Sequence, residues 1–232
     1  MTEKTFAFVV YPGLTALDLV GPLQVLNAYA QADPAVRIAV VGENRDTVGT
    51  DSPLRIAPSH TFAEIPGPDW VLVPGGGGPT LRALSDATLI GYLRHAAAGA
   101  ELMMSVCTGS LLLGEAGLLD GRDATTHWMF RDLLRAFGAT PVARRWVEDG
   151  PVITAAGVSA GIDLALHVVD RLAGPDVARR VQFGIEYDPQ PPHGPLDWDA
   201  APADDLRSIR ERALRDGLAD APELREKLLA HA

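Results

Sequence analysis

Cys107 is the only cysteine among 232 residues, and its setting is that of a reactive thiol. It follows the apolar run 102–106 (LMMSV) and precedes Thr108, Gly109 and an apolar helix predicted over 110–116. A strand that turns at once into a helix forms an elbow, written G-x-S-x-G where serine is the nucleophile. Such a turn strains the backbone and brings the side chain to the sheet edge. It also sets the sulfur near the first unpaired N–H groups of the helix, which favour thiolate over thiol. The competing reading is a small buried apolar residue, the usual fate of a lone cysteine.

Asp18 lies in GLTALDLVGP, between Leu17 and Leu19. An acid in an apolar stretch must find a partner or stay protonated. It could cap a helix, or it could meet Cys107 at the same sheet edge and move a proton for it. The Thr108 hydroxyl could donate to a substrate, donate to the acid, or cap the helix. His127, in TTHW, stands twenty residues past the cysteine. A Cys–His pair is a common way to activate a thiol, and a helix-start histidine is the alternative. Asp163, in SAGID, reads as a satisfied polar residue near the site.

Those residues need a scaffold. Apolar runs at 5–11, 37–41, 70–73 and 102–106 read as strands buried on both faces. Helical stretches are predicted over 18–32, 86–98, 110–116, 128–137, 159–172 and 175–187. Residues 48–57 read as a hairpin excursion, with short strands near Trp146 and at 152–154. The alternation implies an α/β fold: a flavodoxin-like, doubly wound, mostly parallel sheet with helices on both faces. Ligands on such sheets bind beyond the carboxyl ends of the strands. Breaks fall there at 13–18, 75–78 and 107–109.

Gly75 to Gly78 follow a strand, so a phosphate loop must be weighed. Neither GxGxxG after the first strand nor GxxxxGK[ST] is present, which argues against a nucleotide site. The glycines instead let backbone N–H groups, those of Gly76 and Gly77 above all, approach an anionic centre.

The net charge of −10 and the absence of a basic stripe argue against nucleic-acid binding. One cysteine excludes a disulfide framework and a multi-thiolate metal site, and the six histidines show no ligand spacing. No metal and no cofactor are expected. No signal peptide or membrane span is apparent, so the chain reads as cytoplasmic. Residues 1–190 form the expected catalytic domain. Residues 191–232 form a proline-rich linker and a helical extension whose stripe of Leu206, Ile209, Ala213 and Leu214 should pack on its own or a partner subunit.

FVVYPGLTALDLVGP, VLVPGGGG, SVCTGSLLLGEAGLLDG and ATTHW together identify the chain, over about residues 4–187, as resembling the DJ-1/PfpI superfamily. The resemblance implies a cysteine elbow, an acid from the first βα loop bonded to the thiolate, and a homodimer. Many relatives carry glutamate where this chain has Asp18, and PfpI-like proteins carry histidine where it has Thr108. Aspartate with Cys-Thr is similar to the isocyanide hydratases. That resemblance implies Cys107 as nucleophile, with Asp18 and Thr108 beside it, acting on a small-molecule isocyanide. Gly76, Gly77, His127, Gly161 and Ile162 are then the expected binding residues, with 157–162 as the far wall. ATTHW also occurs in regulators with a C-terminal helix-turn-helix domain, but about 45 residues after the core are too few for the usual two motifs. A glyoxalase-like enzyme acting on α-oxoaldehydes, and a non-catalytic redox or ligand sensor, are the alternatives.

Overall fold

The computed structural model describes residues 3–231 and, of 203–205, the backbone alone. Strand β1 (Lys4–Val9) leads through Pro12 and Gly13 into helix α1 (Ala16–Ala32), and β2 (Val36–Gly42) follows. The expected hairpin is β3 (Val48–Gly49) with β4 (Arg55–Ile56), and β5 (His60–Thr61) comes after it. Next come β6 (Trp70–Val73), α2 (Gly78–Ala83), α3 (Ala87–Ala97), β7 (Leu102–Val106) and α4 (Gly109–Glu115). Short β8 (Asp123–Ala124) and β9 (Thr140–Pro141) flank a 3-10 segment, Trp128–Phe137. β10 (Trp146–Asp149), β11 (Val152–Ala155), α5 (Ala160–Ala173) and α6 (Pro175–Gly184) complete the core. The extension forms α7 (Ala203–Gly217) and α8 (Pro222–Leu229).

Seven strands make one sheet in the order β10-β11-β7-β6-β1-β2-β5. Every neighbouring pair is parallel except β10 with β11. The central strands are apolar on both faces because helices cover both, and β6 and β7 are buried throughout. Their register sets Val73 beside Ser105, so the Pro74–Gly77 turn and the Cys107 elbow leave the sheet side by side. The α/β architecture is the expected one, and β6 and β7 match the predicted bounds.

The segment 128–137 differs from expectation in winding. Phe130 N–H bonds to the His127 carbonyl and Gly138 N–H to that of Arg135, three residues back in each case. Both ends are therefore wound as 3-10 rather than α. Its buried face, Phe130, Leu133, Leu134 and Phe137, packs on α4. Gly114 permits that approach, since a Cβ there would lie 2.6 Å from Phe137 Cγ.

The extension packs on its own chain, against α2 and the 3-10 segment. The expected stripe is shifted: Leu214, Leu218 and Leu228 are buried, whereas Ile209 is 52% exposed. The helix turns its Leu214 and Leu218 edge to α2, which leaves Ile209 on the outer side. Gly217 lies against α2, where a Cβ would fall 2.8 Å from Leu81 Cβ and 2.9 Å from the Gly78 carbonyl. Lys227 closes the far end, with Nζ 4.5 Å from the Phe137 ring centroid.

Candidate active site

The elbow is strained in the way such a turn requires. Cys107 has φ +56°, a left-handed conformation that side-chain-bearing residues rarely adopt. Its N–H is held by the carbonyls of Ala155 and Ala156 at 3.1 and 3.0 Å, and its carbonyl accepts from Thr126 Oγ1 at 2.8 Å. The end of β11 and the loop carrying Thr126 thus hold one strained residue. Gly109 is obligatory beside it, because any Cβ there would run into the Val73 carbonyl.

Asp18 meets the thiol from the first turn of α1. It is fully buried, and Oδ2 accepts the Gly75 N–H at 3.0 Å. Oδ1 has no hydrogen-bond partner among the described residues. Burial raises its pKa to about 7, against the Gly75 N–H and the Cys107 thiol, which both favour the charged form, while Asp51 adds a smaller upward push. Burial also pushes the Cys107 thiol up, and the Asp18 charge adds to that. Backbone N–H groups of Thr108 and Val158 pull the other way, since they bond the sulfur. The resting pair is a thiol beside an acid that titrates near neutrality.

Thr108 is fully buried, and its side chain does not cap α4. Its Oγ1 accepts the N–H groups of Gly76 and Gly77, at 3.1 and 3.0 Å. Those two donors therefore face Thr108, and the expectation that they hold an anionic centre is not met in this geometry. The N–H groups of Gly161 and Ile162 are likewise occupied, by the carbonyls of Val158 and Ser159. Gly161 packs where a Cβ would sit 3.0 Å from Val106 and 3.2 Å from Pro22, and Ile162 packs on Gly21. Both seat α5 against α1 rather than offering donors to a ligand. The wall donor that does reach the sulfur is Val158 N–H, in a residue with φ +28°.

His127 caps the 3-10 segment: Nδ1 accepts the Met129 N–H at 3.3 Å. That bond leaves the proton on Nε2. Burial lowers its pKa, and Arg131 lowers it further, so the ring is neutral at pH 7. The ring lies against Gly157, with Cδ2 2.6 Å from where a Cβ would be. It thus supports the turn that carries Val158. Asp163 pairs with Arg145 and accepts from Tyr187 at 3.1 Å, a satisfied polar residue as expected.

Sequence reasoning missed Tyr11, Thr80 and Val158. Tyr11 reads as the end of the first strand, and Thr80 falls in a stretch to which the sequence assigns no element. Val158 reads as apolar wall, and only coordinates reveal its N–H. No group of three or more histidine, cysteine or acidic side chains placed to hold a metal occurs among the described residues.

A doubly wound sheet with a strained cysteine elbow and an acid from the first turn of the first helix defines a class of α/β thiol proteins. The DJ-1/PfpI family model matches residues 4–171, and the chain belongs to that family. It is 41% identical over 206 residues to an isonitrile hydratase of Pseudomonas putida, covering 89% of this chain and 88% of that one. It is 33% identical to the HTH-type transcriptional regulator CdhR of Pseudomonas aeruginosa over 77% of this chain, spanning about half (54%) of the regulator. Among solved structures, a ThiJ/PfpI family protein from Pseudomonas syringae superposes with TM-score 0.85 at 38% identity, over 99% of this chain and 90% of the other. Drosophila melanogaster DJ-1beta shares the fold, with TM-score 0.68 over 81% of this chain and all of its own.

Proposed function

We propose that the protein is an isocyanide hydratase that converts R–N≡C and water into R–NH–CHO through a cysteine adduct. The observation that carries this reading is the buried Asp18–Cys107 pair with Thr108 adjoining it. The similarity to an isonitrile hydratase over most of both chains supports it.

The chemistry needs one nucleophile and one proton carrier. Asp18 as carboxylate takes the Cys107 proton. The sulfur adds to the terminal carbon, and Asp18 returns the proton to that carbon, giving the thioimidate R–N=CH–S–Cys. Water then attacks the same carbon, and Asp18 accepts a water proton and passes it to the nitrogen. The C–S bond breaks, the hydroxyl becomes the formamide carbonyl, and its proton restores the thiol. The N–H groups of Thr108 and Val158 hold the sulfur whenever it is anionic. His127 Nε2–H is the polar group assigned to the substrate side. No metal or cofactor enters the scheme.

The test is formamide production from a small alkyl and a small aryl isocyanide. Cys107→Ala should abolish it, and intact mass during turnover should show one isocyanide mass on Cys107. Turnover by Cys107→Ala overturns the covalent scheme. Turnover of methylglyoxal in place of isocyanides overturns the substrate.

The reading also makes the protein a cytoplasmic homodimer without nucleic-acid partners, its catalytic domain ending near residue 190. Leu17 and Val20 on α1, and Leu54, are exposed apolar side chains available to a second copy. Light scattering on the purified chain tests that assembly.

A further inference from the structure

Six polar groups behind the thiol form a continuous hydrogen-bond chain. Tyr11 Oη lies 2.9 Å from the Pro74 carbonyl and 2.9 Å from Thr80 Oγ1. Thr80 Oγ1 lies 2.9 Å from Thr108 Oγ1, which accepts from Gly76 and Gly77. Tyr11 is 3% exposed, and Thr80 and Thr108 are fully buried, so the chain is shielded from bulk solvent.

Its polarity is fixed. A carbonyl can only accept, so the one Tyr11 proton goes to Pro74. Tyr11 must then accept from Thr80, and Thr80 must accept from Thr108. Thr108 donates its only proton away from the thiol, and both its lone pairs are occupied by the Gly76 and Gly77 N–H groups. A hydroxyl so saturated has no proton for a substrate and none for Asp18.

We infer that Tyr11 and Thr80 are positioning residues for the thiol site, acting through Thr108 to hold the Pro74–Gly77 turn, and that Thr108 itself anchors this turn rather than donating to substrate. The turn matters because Gly75 N–H is the one backbone donor to Asp18. Space there is tight: a Cβ on Gly75 would lie 2.5 Å from Thr108 N, 2.7 Å from Thr108 Oγ1 and 2.9 Å from Asp18 Oδ2. A small shift of the turn therefore lengthens the Gly75–Asp18 bond and moves the acid relative to the sulfur. The titratable groups that act on Asp18 are Cys107 and Asp51, and the Asp18 charge in turn acts on Tyr11. A buried phenol stays neutral across the working range, because burial raises the Tyr11 pKa further.

The experiment uses the full chain with Tyr11→Phe, Thr80→Val and Thr80→Ser. The first readout is the pH profile of Cys107 alkylation by iodoacetamide, followed by intact mass, which needs no isocyanide chemistry. The second is kcat and KM for isocyanide hydration. Tyr11→Phe removes a single oxygen and leaves the Thr80 proton without an acceptor. It should move the alkylation inflection upward, because a weaker Gly75 N–H bond favours the protonated acid. It should also lower kcat about tenfold with KM changed less than about twofold. Thr80→Val should reproduce both effects, and Thr80→Ser should restore wild-type values. Unchanged profiles and kcat in Tyr11→Phe overturn the inference, as does Thr80→Ser behaving like Thr80→Val. A wild-type protein inert to isocyanides refutes only the proposed substrate, and the alkylation profile still decides the role of Tyr11.

Discussion

Cys107 and Asp18 are electrostatically coupled, and each group sets the other's proton affinity. The acid titrates at about 7, which is high for a carboxyl, while the thiol is held well above its ordinary range. Near neutrality the acid is therefore the group that can change state, and the sulfur becomes nucleophilic only by handing it a proton.

A pH dependence follows. The carboxylate form of Asp18 is the base, so kcat/KM for isocyanide hydration should rise with pH through about 7 and then level off. Asp18→Asn removes the base and should cost at least ~100-fold in kcat/KM, with no inflection in the residual rate. A rate that falls through the same range would assign the acid role to the resting state instead.

The same burial costs stability. Asp18 binds its proton more tightly folded than unfolded, since its pKa rises from 3.8 to about 7. A raised pKa contributes stability that is complete below about pH 4 and is lost as pH climbs through about 7. Asp18→Asn keeps the shape without the charge. It should raise the thermal midpoint by several degrees at pH 8, with the gain disappearing at pH 4. Equal gains at both pH values would show that packing, not ionisation, is responsible.

Much of this was readable from the chain. Nearly continuous apolar runs such as WVLV and LMMSV give buried strands their bounds, because a strand covered on both faces is apolar at almost every position. Cys107, Asp18 and Thr108 were legible because each breaks such a run at a sheet edge. What those residues do was less so. Thr108 looks like a donor from its type alone, and only the Tyr11–Thr80 partners show that its proton points away. Gly76 and Gly77 look like an anion cradle until their N–H groups are found on Thr108. Periodicity also cannot tell 3-10 from α winding at 128–137, since the same buried face serves both. Hydrogen-bond direction and long-range pairing are not encoded in local pattern.

Strain at the elbow makes a separate prediction. Left-handed φ costs a residue with a Cβ about 1 kcal/mol or more, and glycine nothing. Cys107 has φ +56° and is 5% exposed. Cys107→Gly should therefore be about 1 kcal/mol more stable than Cys107→Ala by urea denaturation, although it removes one more buried carbon. Both should be inactive. Alanine equal to or above glycine would mean that the surrounding packing stabilises this φ without cost.

The extension should reach the site through α2. Helix α7 lies on α2, which carries Thr80, and it also touches the 3-10 segment, where Arg210 NH1 donates to the Met129 carbonyl at 3.4 Å. Gly217 packs tightly there, since a Cβ would meet both Leu81 Cβ and the Gly78 carbonyl. Gly217→Val forces an overpacked contact costing about 1–3 kcal/mol, which should appear as a lower denaturation midpoint. If α7 merely covers an apolar face, activity per folded molecule stays at the wild-type level. If it holds α2 in place, the Thr80–Thr108 bond loosens, and kcat falls severalfold at temperatures where the variant remains fully folded. Amide exchange should then quicken at 78–83, on the helix that α7 covers, before it quickens in β7. The two readouts separate a lost cover from a lost brace, and the seating of Gly217 against the Gly78 carbonyl favours the brace.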